Sequence, residues 1–237
     1  NIKKLPKADF VIYCINNKSI KVSLKKFSHF KELLSKSSKK IKILFFSSGA
    51  VYGPRYFKKK YQESEKIDFN KIKKFTGYKK NYAKEKILLE KEFLKLSKKG
   101  YKISMARGFA FYGKYILKYK YLISQIINSV KLNKKLTISN PNIQRSYMHS
   151  DDMCRWLIKI VQNASIKCPI YNVGSSKNAN LKKMIKLLNN KYNSKIVINK
   201  NNAKKNDFYI PSTNLAKKRL KLKTTINFNH AINSLIK

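Results

Sequence analysis

Glycine is scarce in this chain. Seven occur in 237 residues, at 49, 53, 77, 100, 108, 113 and 174, and none builds the G-x-G-x-x-G turn that holds a dinucleotide pyrophosphate at a helix N-terminus. Cysteine is as thin. Cys14, Cys154 and Cys168 have neither metal-ligand spacing nor the count of a disulfide framework, which points to a reducing, cytoplasmic setting. The three histidines, His29, His149 and His230, are scattered, so no metal site is expected. No apolar run approaches the roughly 20 residues that span a bilayer, so membrane insertion is not expected either.

Negative charge is the other shortage. Eleven Asp and Glu face 55 Lys and Arg, a formal net charge of +44. Only five of those cations are Arg (55, 107, 145, 155 and 219), which leaves 50 Lys. A field this positive attracts polyanions. The lysines are nevertheless spread along the whole chain and accompany abundant Asn and Ile, as an AT-rich coding bias would produce. Nucleic-acid binders gather charge in one patch and favour the bidentate guanidinium of Arg. No nucleic-acid partner is therefore expected, and a basic nucleic-acid-binding protein stands as an alternative.

What is present reads as a folded α/β chain. Hydrophobic residues make up 43%, and the length suits one domain or one and a half. Strand-like runs at Asp9–Ile15, Ile41–Phe46 and Tyr101–Ala106 alternate with helical periodicity over Val22–Ser35 and from Tyr82 to about Lys99, where Gly100 supplies a stop. A long polar loop is expected from Pro54 to Thr76. Smaller pieces follow: helices near Tyr121–Lys131, Asp151–Gln162, after Asn180, after Ser212 and near His230, and strands at Leu136–Ser139 and Pro169–Val173. Apolar strands alternating with helices predict a doubly wound parallel sheet.

Two segments carry chemistry. The Ile41–Phe46 run delivers Ser47-Ser48-Gly49-Ala50-Val51-Tyr52-Gly53 at its C-terminal end, where parallel α/β sheets bind ligands. Tyr82 and Lys86, four apart in Tyr82-Ala-Lys-Glu-Lys86, share one helix face. An ammonium near a phenol is expected to lower the phenol pKa, so that Tyr82 trades protons near neutrality while Ser48 holds the substrate oxygen. By chance about three Tyr-x-x-x-Lys matches would arise in this composition, so spacing alone says little. Tyr56/Lys60 is the other match, in a lysine-rich loop, whereas Tyr82 opens an amphipathic helix with Ile87, Leu88, Phe93 and Leu94.

Those two segments resemble the extended short-chain dehydrogenase/reductase family, in its NAD-dependent nucleotide-sugar epimerase/dehydratase branch. Arg107-Gly-Phe-Ala-Phe-Tyr-Gly113, Arg145-Ser-Tyr-Met-His-Ser-Asp-Asp152 and Tyr171-Asn-Val-Gly174 follow in the family's order. The resemblance implies a Rossmann-like sheet without its first βαβ unit in residues 1–113 and a mainly substrate-binding lobe in 114–237, the two interleaving. Asp9–Ile15 resembles the family's fourth strand, so the strands bearing the glycine-rich turn are expected upstream in a longer protein.

The same resemblance implies roles. Ser48, Tyr82 and Lys86 would be catalytic. Cys14, Ser47, Tyr82, Lys86 and Phe109 would contact NAD, or NADP. Ser48, Ala50, Ala110 and Arg145 would contact the sugar nucleotide, Arg145 at its diphosphate; at Ala110 many family members carry Asn instead. His149 and the aspartates after it are expected to start the next helix. Dehydratases of the family place an acidic pair directly after the catalytic Ser/Thr. Gly49 and Ala50 stand there in this chain, which implies epimerisation or ketone reduction rather than water elimination. The expected substrate is a nucleotide-sugar of bacterial surface polysaccharide synthesis, and the expected assembly a homodimer. A non-catalytic scaffold of the same fold is the other alternative.

Overall fold

A computed structural model of the chain describes residues 4–17, 19–116, 121–140, 142–199 and 206–236. In chain order these residues form β1 (Phe10–Tyr13), α1 (Ile20–Ser35), β2 (Lys42–Ser48), α2 (Phe69–Lys73), α3 (Gly77–Lys98) and β3 (Lys102–Gly108). Next come β4 (Phe111–Tyr112), α4 (Leu122–Lys131), β5 (Leu136–Ile138), β6 (Ile143–Arg145), β7 (Met148–His149) and α5 (Ser150–Gln162). The described chain ends with β8 (Ile170–Val173), α6 (Leu181–Tyr192), β9 (Ile196–Ile198), β10 (Asp207–Tyr209), α7 (Asn214–Leu220) and α8 (Phe228–Ile236).

The central sheet has the order β1-β2-β3-β8, with every neighbouring pair parallel. Strand period two explains its layers. Ile43 and Phe45 of β2 face one way, where Phe27, Phe30 and Leu34 of α1 and Leu89, Phe93 and Leu96 of α3 cover them. Phe93 stacks on Phe45 with ring centroids 4.6 Å apart. Leu44, between them, faces the other way onto Trp156, Leu157, Ile160 and Val161 of α5. Both faces are covered by helices, which is the doubly wound arrangement expected, and near-continuous apolar strands are its sequence signature.

Local chemistry sets the helix ends. The Ser19 hydroxyl caps α1 by accepting from Val22 N. Gly100, with φ +90°, follows the last turn of α3 in a conformation that L side chains resist. A second core gathers Ile123, Ile126 and Val130 of α4, Leu181, Met184 and Leu188 of α6 and Ile232 of α8.

Two expectations need correction. The stretch from Pro54 to Thr76 is not simply a polar loop: it contains α2, and Tyr61 is buried, bridging to Pro211. Its buried contacts lie about 150 residues downstream, beyond the reach of local periodicity. The short strands β4, β6, β7, β9 and β10 were also not expected, because two or three residues are too few to show alternation. Among the described residues, no helix is long and apolar enough to cross a membrane.

Candidate active site

The sheet's C-terminal edge presents Cys14 just past β1, Ser47 and Ser48 closing β2, and Phe109 just past β3. A 3-10 turn over Gly49–Tyr52 follows Ser48, whose hydroxyl accepts from Ala50 N at 3.2 Å. α3 crosses this edge and brings the Tyr82 phenol into hydrogen-bonding contact with Ser48. Lys86, one turn further on, lies with Nζ 5.5 Å from the Tyr82 ring centroid and donates to Ile15 O at 3.3 Å. Ser48, Tyr82 and Lys86, picked out in sequence, thus meet at one end of a parallel sheet.

Their electrostatics differ from expectation. Burial pushes the Tyr82 phenol up to about 12; contact with Ser48 pulls it down, and Tyr121, Tyr78 and the Glu85 carboxylate push it further up. The expected lowering by Lys86 does not prevail. Burial also lowers the pKa of Lys86 itself, against an opposing pull from Glu85, whose Oε1 lies 3.8 Å from Nζ. The helix therefore carries its own counter-charge beside the lysine, and that carboxylate pushes the phenol up, not down.

Ser47, expected to contact the cofactor, uses its side chain inside the protein. Its buried hydroxyl donates to Glu90 Oε1 at 2.6 Å, because β2 turns alternate side chains to opposite faces and Ser47 faces α3. Glu90 is also gripped by Arg107, Nε to Oε1 at 2.9 Å and Nη2 to Oε2 at 2.7 Å. Arg107 Nη1 donates to the Tyr52 hydroxyl, which donates to Asn172 Oδ1 at 2.8 Å. Tyr82, Lys86 and Glu90 lie four apart on α3, so this network anchors the helix face that carries the phenol and the ammonium.

Phe109 is buried in an aromatic group with Tyr52, Tyr61 and Tyr209, its ring 4.6 Å from that of Tyr209. It also lies flat on Gly49: a Cβ there would meet the Phe109 ring at 2.6–2.8 Å. An acidic side chain at 49 would collide with that ring. Ala50 is half-buried on the 3-10 turn, and Ala110 is half-buried against the second core. Cys14 is exposed beyond the end of β1, not inside the strand.

Arg145 does not pair with Asp151 or Asp152. Its guanidinium donates to Asp207 Oδ2 and to Asp207 O at 2.7 Å, and lies over the Tyr209 ring. Asp151 N donates to His149 Nδ1, which caps α5 as the sequence suggests. Asp152 accepts from Arg155, Thr225 and Ile226, and so ties α5 to the segment before α8.

Three residues at the site escaped the sequence reading. Tyr209 arrives on β10, which pairs in parallel with β6, and its phenol also contacts Ser48. Glu85 and Asp207 are the others. The short Asp207-Phe-Tyr-Ile210 run after a lysine-rich stretch was the available signal for Tyr209; Glu85, between two lysines, looks like part of a solvated face.

A doubly wound parallel sheet with Ser, Tyr and Lys at its C-terminal edge defines a class of fold and site. The chain belongs to the NAD dependent epimerase/dehydratase family, whose profile matches residues 17–174. No curated protein sequence matches it. Solved structures do. RMD from Pseudomonas aeruginosa, complexed with NADPH, is 15% identical over 96% of this chain and 80% of its own, with a TM-score of 0.76. A UDP-glucose 4-epimerase from Thermotoga maritima with UDP-glucose is 17% identical, at 96% and 76% coverage and a TM-score of 0.74. A dTDP-glucose 4,6-dehydratase from Bacillus anthracis in complex with NAD is 15% identical, at 96% and 71% coverage and a TM-score of 0.75. At such identities the likeness is one of fold.

Proposed function

We propose that this protein is an NAD- or NADP-dependent epimerase, or a related oxidoreductase, acting on a nucleotide-sugar, with Ser48, Tyr82 and Lys86 as its catalytic residues. The observation that carries this reading is the contact of the Tyr82 phenol with Ser48, one helical turn from Lys86, at the C-terminal edge of the sheet. Family membership and NAD- or NADPH-bound structures of the same fold support the cofactor.

The local chemistry fits the nicotinamide end of such a cofactor. The Lys86 ammonium has three N–H bonds and uses one on Ile15 O, so donors remain for ribose hydroxyls. When bound, the cofactor supplies hydride exchange at a carbinol carbon. The chain's part is proton control. Ser48 holds the reacting oxygen, and Tyr82 takes the hydroxyl proton as hydride leaves and returns it as hydride comes back. With Tyr82 at about 12 in the free site, the phenolate needs help from the bound state, with the Lys86 charge brought to bear.

Gly49 and Ala50 offer no acid for water elimination, which favours epimerisation or ketone reduction over dehydration. Arg145 supplies a planar fork suited to the nucleotide diphosphate, with Asp207 holding it ready. Residues 1–113 act as part of the cofactor-binding domain and 114–237 mainly as the substrate lobe. We place the protein in the cytoplasm, as a homodimer without a nucleic-acid partner, in bacterial surface polysaccharide synthesis; UDP- and dTDP-sugar enzymes of the same fold support the sugar-nucleotide part. The test is turnover of UDP- and dTDP-hexoses with NAD or NADP by the full-length protein. Tyr82→Phe is expected to lower kcat by at least about 10²-fold. Unchanged turnover in that variant would remove the mechanism.

A further inference from the structure

The function proposed above gives Glu85 no task, yet Glu85 is only 1% exposed and lies beside the lysine on which that function rests. Adjacent residues on a helix do not normally face each other. Here both side chains turn into one recess, with Glu85 Oε1 3.8 Å from Lys86 Nζ. Three elements close over it. β1 contributes Tyr13, the following loop contributes Asn17 and the Ile15 carbonyl, and α1 contributes Ser23. Tyr13 Oη, Asn17 Nδ2, Ser23 Oγ and Glu85 Oε1 all lack a hydrogen-bond partner among the described residues. The groups facing Lys86 are Glu85, the Cys14 thiol, the Ile15 carbonyl, and the Phe45 and Tyr82 rings, each ring 5.5 Å away. Among the described residues, Glu85 is its ion-pair partner.

We propose that Glu85 is a positioning residue: its carboxylate is the counter-charge that keeps Lys86 an ammonium at the end of β1, and the reaction depends on Glu85 through Lys86. This rests on the function proposed above. A lysine 2% exposed is driven toward its neutral form by burial, and a neutral amine would neither hold a ribose by charge nor favour a phenolate. Burial lowers the pKa of Lys86 and raises that of Glu85, and each group pulls the other back toward its charged form. The Glu85 carboxylate also raises the Tyr82 phenol, so it keeps Lys86 charged while holding the phenol protonated in the free site.

The experiment is an NMR pH titration of the full-length protein carrying ¹³C-labelled lysine, with the Lys86 signal assigned by its loss in Lys86→Met. Glu85→Gln removes an opposite charge within 4 Å, so the Lys86 midpoint is expected to fall by about 1–3 pH units. Glu85→Asp, which keeps the charge, is expected to recover at least half of that shift. An unchanged midpoint in Glu85→Gln overturns the proposal. If Glu85→Gln does not fold, Glu85→Gln/Lys86→Met should, because it leaves no unpaired buried charge; a double variant no more stable than the single one also overturns it. The titration needs neither cofactor nor substrate. An enzyme that turns over with an unmoved Lys86 midpoint in Glu85→Gln sinks this proposal alone, whereas absence of turnover in the parent protein sinks only the mechanism.

Discussion

α3 carries two buried acid–base pairs five residues apart, and they are built to different standards. Glu90 meets Arg107 through two hydrogen bonds, and both carboxylate oxygens are used; Ser47 and Tyr52 complete the set. Glu85 meets Lys86 at 3.8 Å, beyond hydrogen-bond range, with Oε1 unpartnered among the described residues. The first pair joins β2, β3 and α3 and has no freedom left. The second sits at the sheet edge, where an ammonium with free donors is useful. A buried charge that is fully bonded fixes geometry, and one that is loosely paired keeps its charge available to something else.

The largest expected effect breaks the tight pair. Arg107→Met would leave Glu90 buried and unpaired, and urea denaturation should show a loss of about 3–5 kcal/mol. A second substitution, Glu90→Leu, should restore much of it by removing the orphaned charge. If Arg107→Met proves as stable as the parent protein, the contrast between the pairs is empty. Tyr82→Phe, by comparison, keeps the ring beside Lys86 and leaves both pairs intact, so it should leave stability within about 1 kcal/mol while removing turnover.

The same contrast shows what was legible in the sequence. The sheet was readable because Ile41–Phe46 and Tyr101–Ala106 are apolar on both faces, which only a strand covered from two sides requires. Tyr82 and Lys86 were readable because they lie one helical turn apart, and Ser48 because it closes an apolar strand, in segments that resemble a known family. The two acid–base pairs were not. Glu90 and Arg107 are 17 residues apart and on different elements, and Glu85 sits in a Lys-Glu-Lys triplet that looks like solvent-facing helix. Tyr209 reaches Ser48 because β10 pairs with β6, Tyr209 opposite Arg145, a register that no local pattern encodes. The sign at Tyr82 was misjudged for the same reason: the neighbouring Lys86 was visible in sequence, and the burial that raises the phenol, with a smaller push from Glu85, was not.

The sheet edge can be probed by packing as well as by charge. At Gly49 a methyl group would meet the Phe109 ring at under 3 Å, and the ring is held among Tyr52, Tyr61 and Tyr209. Gly49→Ala should cost about 1–3 kcal/mol from overpacking, and Phe109→Leu should relieve part of it. Coupling between the two substitutions, read from a double-mutant cycle, measures the contact directly. Additive effects would mean that the ring moves aside freely, and the steric bar to an acid at position 49 would vanish with it.

The smallest expected effect concerns Tyr209. Its phenol lies 3.5 Å from Gly108 O and contacts Ser48, which also contacts Tyr82. Ser48 lowers both phenols, so its single hydroxyl proton is shared between Tyr82 and Tyr209. While that proton serves Tyr209 it is not available to Tyr82. Tyr209→Phe removes that acceptor and frees the Ser48 proton to turn toward Tyr82, and a donor to the charged form lowers a phenol's pKa. The Tyr82 midpoint, read from the ultraviolet titration difference between proteins with and without Tyr82, should therefore fall from about 12 by less than about one unit. Turnover should change by less than about tenfold, since Ser48, Tyr82 and Lys86 all remain. A midpoint that rises instead would mean that the two phenols do not compete for Ser48, and a loss as deep as that of Tyr82→Phe would make Tyr209 a member of the catalytic set rather than a competitor for the resting Ser48 hydroxyl.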